Sequence, residues 1–184
     1  PFRTNNQYHL FTLSGSIGGK DPSLLLTPYT GSDISSSNDY TQYGRLDLLE
    51  NAVVVASTQY FPIYNGSFWN VHIGTIGTSG SSANIDFGAY QANWLKNISY
   101  YTTSFPQTEV ERGLTFGDPY SNGGADVGGA KFAYIGGIEA NTSSLYNDID
   151  ILSYSGSIQE VKYHFGESLT HSTLKKHALE PFMY

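Results

Sequence analysis

FAYIGG at residues 132–137 and GSIQEVKYHFGESLTHSTLKKHALEP at residues 156–181 carry the pattern that decides the fold. The first run is short and aromatic and ends in Gly136-Gly137, where the missing Cβ lets the backbone turn tightly. The second opens at Gly156 and carries Ile158, Val161 and Tyr163. Ile158 and Val161 lie three apart, which breaks strict alternation; a bulge near Gln159-Glu160 would turn both inward. A helical turn over 170–178 follows, with Thr170 or Ser172 as cap and Leu169, Leu174 and Ala178 at inward spacing. The unit is a strand, a return strand and a closing helix.

Working outward, the same grammar repeats. YHLFTL (8–13) and SLLL (23–26) are short apolar strands separated by Gly15, Gly18-Gly19 and Asp21-Pro22, which are turn residues. YGRLDLL (43–49) alternates weakly, and AVVVASTQYF (52–61) is β-branched. Asn65-Gly66 predicts a hairpin turn between that run and the strand over 68–76. In FWNVHI, Trp69, Val71 and Ile73 share one face and Phe68, Asn70 and His72 the other. Strands follow at 85–90, 98–103, 114–116, 131–135, 149–152 and 157–165. The loops are GSDISSSND (31–39), TSGSSAN (78–84) and the glycine-rich YSNGGADVGG (120–129). Short strands at this spacing imply an all-β chain: an antiparallel β-sandwich or jelly roll with one short C-terminal helix, forming a single domain over 1–184.

Composition fits that class. The chain has 184 residues with 15 Tyr, 10 Phe, 20 Gly and 7 Pro, a mixture that favours strands and tight turns. Only 14% of residues are charged, so Ser, Thr, Asn, Gln and Tyr must build the polar surface. A net charge of −7 argues against tracking nucleic-acid phosphates, and no Lys/Arg run exceeds Lys175-Lys176. There is no cysteine, which rules out disulfides, zinc-thiolate sites and cysteine nucleophiles. No apolar stretch approaches the roughly 18 residues of a membrane span, so no membrane insertion is expected. PFRT at one end and PFMY at the other stand mid-pattern and read as part of a longer polypeptide.

Two blocks resemble the laminin-G-like, concanavalin-A-like lectin and glucanase superfamily. One is YGRLDLL…FWNVHIGT over 43–75, in which a Trp precedes a Val-x-Ile alternation. The other is the opening block, an aromatic-Ile-Gly-Gly strand followed by Gly-x-Ile-x-Glu-Val-x-Tyr and a short helix. Together they cover under half of the chain, and residues 83–129 fall largely outside them. HALEPFMY and the Ser/Asn/Tyr-rich style also resemble laminin-G-like modules in structural proteins of tailed phages. The resemblance implies a laminin-G-like jelly roll on an extracellular or virion surface that binds a glycan or a protein, or other subunits of its own assembly, without catalysis. It leaves open a purely structural packing role in a virion.

Each chemical lead has a competing plain reading. Asp148 and Asp150 could share a strand face, as carboxylates do in laminarinase-like glycoside hydrolases of the same fold. Retaining hydrolysis needs two carboxyls about 5–5.5 Å apart, and the acid position falls on Ser153, which is no useful proton donor. A polar turn entering a strand explains the motif better, and no enzymatic activity is expected. Asp118 and Asp126 flank the glycine-rich loop, where the resemblance implies one rim Ca²⁺ held by Asp side chains and backbone carbonyls; a solvated loop is the plain alternative. His9, His72, His164, His171 and His177 lack close metal spacing, and six residues separate His171 from His177, placing them on different helix faces. GSIGGKD (15–21) has the wrong spacing for a phosphate loop. Glu109 and Glu111 read as exposed carboxylates. Asn65, Asn97 and Asn141 head glycosylation triplets of a kind chance supplies in so Asn- and Ser-rich a chain. Tyr40, Tyr43, Tyr64, Tyr120 and Asn122 are the candidate ligand-binding residues, since tyrosines at strand ends stack on sugars or anchor protein interfaces. Ordinary core and rim packing is the alternative for the tyrosines.

Overall fold

The computed structural model describes residues 7–14, 22–29, 42–50, 53–76, 83–93, 95–107, 132–137, 151–162, 164 and 169–180. Among them are nine strands and one helix: β1 (Gln7–Ser14), β2 (Pro22–Pro28), β3 (Gly44–Glu50), β4 (Val53–Ser57), β5 (Asn70–Ile76), β6 (Ala83–Ala92), β7 (Ile98–Gln107), β8 (Phe132–Ile135), β9 (Ile151–Ser153) and α1 (His171–Leu179). They form a mostly β fold with two antiparallel sheets, ordered β4-β3-β2-β1-β8 and β5-β6-β7.

The first sheet adds one pairing that an all-antiparallel expectation lacks. β8 lies antiparallel beside Phe11–Ser14, and β9 lies parallel beside Gln7–His9. β2 takes the other edge of β1. β8 covers only half of the open edge, so β9 fills the remainder, tied to the end of β8 by Tyr154 N–H donating to Gly136 O at 2.7 Å.

Side chains from both sheets meet in one cluster: Leu24 and Leu26 from β2, Leu46 and Leu48 from β3, Phe61, and Ile85, Phe87 and Ala89 from β6. Trp69 and Ile73 turn onto this cluster as the period-2 pattern predicts, Val71 of the same set is 40% exposed, and His72 faces the other way. The odd positions of β6 face the core. Its even positions Asp86 and Tyr90 lie on the face that α1 covers with Leu174 and Ala178, with Leu169 packed alongside. Thr170 caps α1 by accepting from Thr173 N at 3.2 Å, and Lys176 sits in its last turn, where positive charge suits the helix dipole. The expected helix, cap and inner face are all present.

Three expectations need correction. The β-branched run pairs only over Val53–Ser57; Thr58 N then donates to Leu46 O, and Phe61 returns as an isolated bridge to Gly44. Asn65-Gly66 does form a turn, with Gly66 at φ +80°, but not a hairpin. β4 belongs to the first sheet and β5 to the second, so the turn carries the chain between sheets. Residues 157–162 form no strand, and Ile158 and Val161 are exposed rather than turned inward by a bulge. The edge of β1 that could have received them is already taken by β8 and β9. The strand expected at 114–116 lies outside the described residues.

β2 and β3 are buried on both faces. Their second face carries polar groups joined to one another. Thr12 Oγ1 donates to Ser23 Oγ at 2.8 Å, so it must accept from His9 Nε2 at 2.6 Å. That fixes the proton on Nε2 and leaves His9 Nδ1 a buried lone pair with no partner. Burial pushes the His9 pKa down from 6.5 to about 4. A base whose folded pKa is depressed stabilises the fold above its unfolded pKa and loses that contribution as the pH falls. About 3 kcal/mol should therefore disappear between pH 6.5 and pH 4. Urea unfolding of the protein and of His9→Gln at both pH values checks this; equal acid losses in the two would dismiss it.

Candidate functional site

One end of the three-stranded sheet is built as a hydrogen-bonded rim. Phe61 N and O both bond Gly44, at 2.9 and 3.0 Å, and Tyr64 N donates to Gln42 O at 2.9 Å. These bonds fasten the inter-sheet crossing to the start of β3. The Asn65 side chain then spans to β6: its Nδ2 donates to Gln91 Oε1 at 3.0 Å, and its Oδ1 accepts from Gln91 Nε2 at 3.2 Å and from Ser67 N at 3.1 Å. Asn-Gly favours this geometry because the Asn side chain bonds its own backbone two residues on, while Gly takes the positive φ.

The β6–β7 connection stands at the same end. Asn93 Oδ1 accepts from Leu95 N at 3.0 Å and Asn97 N at 2.9 Å, and Asn93 N donates to Asn97 O at 3.0 Å. Lys96 holds φ +62°, a left-handed conformation unusual for a residue with a Cβ. Two pinned turns thus present Phe68, 65% exposed, and Leu95, 56% exposed, beside the exposed amides of Asn65, Asn93 and Asn97.

Tyr43 and Tyr64 belong to this region. Tyr43 follows Gln42 and its carbonyl accepts from Tyr29 N at 3.0 Å, while the Tyr64 ring packs against the core cluster. Both are half-buried. Phe68, Leu95 and the clamp from Asn65 to Gln91 were not singled out in the sequence. The available signal was Asn-x-x-x-Asn at 93–97, whose two ends exchange bonds across a hairpin turn. Tyr40, Tyr120 and Asn122, the calcium candidates Asp118 and Asp126, and the carboxylates Asp148 and Asp150 lie outside the described residues. Ser153 is exposed at the end of β9.

Among the described residues, a titratable cluster lies beneath α1. His72 Nε2 donates to Asp86 Oδ2 at 2.9 Å, and His171 Nε2 stands 3.9 Å from the same oxygen. The Tyr90 hydroxyl contacts His171 Nδ1. Burial first, then the charges of Asp86 and Tyr100, push the Tyr90 pKa up to about 12. Tyr90 therefore keeps its proton, and its hydroxyl shares one hydrogen bond with His171 Nδ1. Lys175 Nζ covers the Tyr100 ring at 4.1 Å. The cluster ties α1 to β5 and β6. His177, on a different face of the helix as the six-residue spacing predicted, stacks on His164 with ring centroids 5.9 Å apart. Among the described residues no group of three His, Cys, Asp or Glu could hold a metal ion, and no helix is long and apolar enough to cross a membrane.

Comparison with known proteins finds no matching family model, no matching curated protein and no matching solved structure.

Proposed function

We propose that this chain is a laminin-G-like β-sandwich serving as a non-enzymatic recognition and assembly module in a larger extracellular or virion-surface structural protein, and that it binds a glycan or a protein through its rim. The observation that supports this most is the exposure of Phe68 and Leu95 on turns held by the side chains of Asn65 and Asn93. Large apolar side chains ordered in advance lose little entropy when a partner covers them. Amides at their side can bond hydroxyls or backbone groups, which suits sugar rings and protein surfaces alike. The two packed sheets with a shared core support the sandwich form, and the paired, helix-covered arrangement of the His72, Asp86 and His171 cluster favours a structural role for it over an open catalytic one.

Binding to a panel of defined oligosaccharides tests the reading. Affinity is expected to fall about tenfold or more in Phe68→Ala/Leu95→Ala, the loss typical of a truncated anchor. Silence of the wild type across the panel removes glycans and leaves a protein partner. Glycan binding that the double variant leaves unchanged moves the site away from this rim.

A further inference from the structure

We propose that Asn65 is a deamidation site of this chain, where water exchanges the side-chain amide for a carboxylate, and that Gln91 governs the rate by holding that amide. Asn65 precedes Gly66, whose backbone nitrogen has no side chain beside it. Among the described residues the other asparagines lack this neighbour. Val71, Ile85 and Ile98 follow Asn70, Asn84 and Asn97, and Trp94 follows Asn93. Asn65, Gly66 and Ser67 are exposed, and a Cβ added at Gly66 would meet nothing within 4 Å, so solvent reaches this turn.

The first step is internal, which gives it the advantage of a tethered nucleophile. The Gly66 nitrogen gives its proton to a solvent base and bonds to Asn65 Cγ. The bond from Cγ to Nδ2 breaks, and Nδ2 takes a proton from solvent and leaves as ammonia. Water then opens the cyclic imide. Cleavage between Gly66 N and Cγ gives Asp; cleavage between Gly66 N and the Asn65 carbonyl carbon gives isoaspartate. One water is consumed and one ammonia released, with no change in oxidation state.

The fold opposes this step through β6. Gln91, placed by its pairing with Ser99, holds the Asn65 amide at both ends: Asn65 Nδ2 donates to Gln91 Oε1 at 3.0 Å, and Gln91 Nε2 donates to Asn65 Oδ1 at 3.2 Å. Ser67 N donates to the same Oδ1 at 3.1 Å. A two-bond amide pair needs both amides planar, as resonance keeps them. Attack makes Cγ tetrahedral and expulsion removes Nδ2, so the pair with Gln91 resists both halves of the reaction. The donors on Oδ1 bring no matching gain, because water offers the negative oxygen of an exposed residue the same bonds. Losing the pair on the way to the transition state slows the reaction about tenfold.

The change is one-way. A carboxylate at position 65 has no N–H for Gln91 Oε1, and the isoaspartyl product adds a carbon to the backbone between residue 65 and Ser67. Either product frees the turn that carries Phe68 from β6.

The reaction is read on the chain alone, so its outcome is separate from that of partner binding at the rim. The whole protein is incubated at mildly alkaline pH, folded and in urea, and fragment-ion mass spectrometry follows Asp and isoaspartate at each asparagine. Residue 65 of the folded wild type should react about tenfold more slowly than in urea, and folded Gln91→Ala about tenfold faster than the folded wild type. In urea the two chains should react alike, which separates the clamp from any effect of sequence. Gln91→Glu keeps an acceptor for Nδ2 but no donor, and should give a rate between the two should Gln91→Ala fail to fold. A folded wild type as fast as the unfolded chain, Gln91 variants no faster than the wild type, or conversion at Asn70, Asn84 or Asn97 matching that at Asn65 overturns the proposal.

Discussion

Phe61→Ala is expected to lower the unfolding free energy by about 3–5 kcal/mol, the cost of removing a buried aromatic and leaving a cavity. Phe61 is fully buried, stacks on Tyr101 of β7 at 5.0 Å and tilts against Trp69 at 4.9 Å. Its backbone is bonded to Gly44 at the start of β3. One residue therefore joins the backbone of the first sheet to the side chains of the second. Loss of the ring removes the contact at the point where the chain crosses between sheets, where no ladder can compensate. Denaturant midpoints at fixed pH check the value. A loss under about 1 kcal/mol would mean that the sheets do not depend on this ring.

Asp47→Ala is expected to cost about 2–4 kcal/mol. The Asp47 carboxylate is fully buried on the second face of the first sheet. It accepts from Ser57 Oγ at 2.5 Å, from Gln7 Nε2 at 3.3 Å and from Thr27 Oγ1, which gathers donors from β1, β2 and β4 onto β3. Arg45 Nε lies 2.9 Å away without aligning its N–H, so that contact is an ion pair more than a hydrogen bond. Alanine leaves three donors without their acceptor and one guanidinium without its counter-charge. Arg45 is a third exposed and can turn to water, which holds the figure below that of a wholly buried pair. Asp47→Asn keeps an acceptor oxygen and should lose less. Equal losses in the two variants would assign the effect to charge alone, against the hydrogen-bond account.

The order of elements could be read almost directly from the chain. Alternation at 68–76 and the apolar runs at 8–13 and 23–26 correspond to β5, β1 and β2, because burial of one or both faces leaves a period in the sequence. Thr170 and the 169, 174, 178 spacing gave α1 for the same reason. Partner choice left no comparable mark. Asn65-Gly66 signals a turn whether the following strand folds back or leaves for another sheet, since the turn residues satisfy only local dihedral demands. The rim was half legible. Tyr64 and Tyr43 were marked, but Phe68 looked like any other strand aromatic, and its exposure depends on what the opposite strands bring. The cluster beneath α1 was invisible, since Asp86 and His171 are far apart in the chain and meet only through docking of the helix.

The sequence by itself therefore determined most of the described segments that extend, where they turn, that the fold is mostly β and that this sequence offers no thiol; these follow from side-chain period, backbone preference and composition. Only the tertiary structure decided which strands pair, that β9 runs parallel to β1, and that residues 157–162 go without an edge. Pairing is settled by competition among all strands for a few open edges and one shared core, and the outcome of that competition is a property of the whole chain.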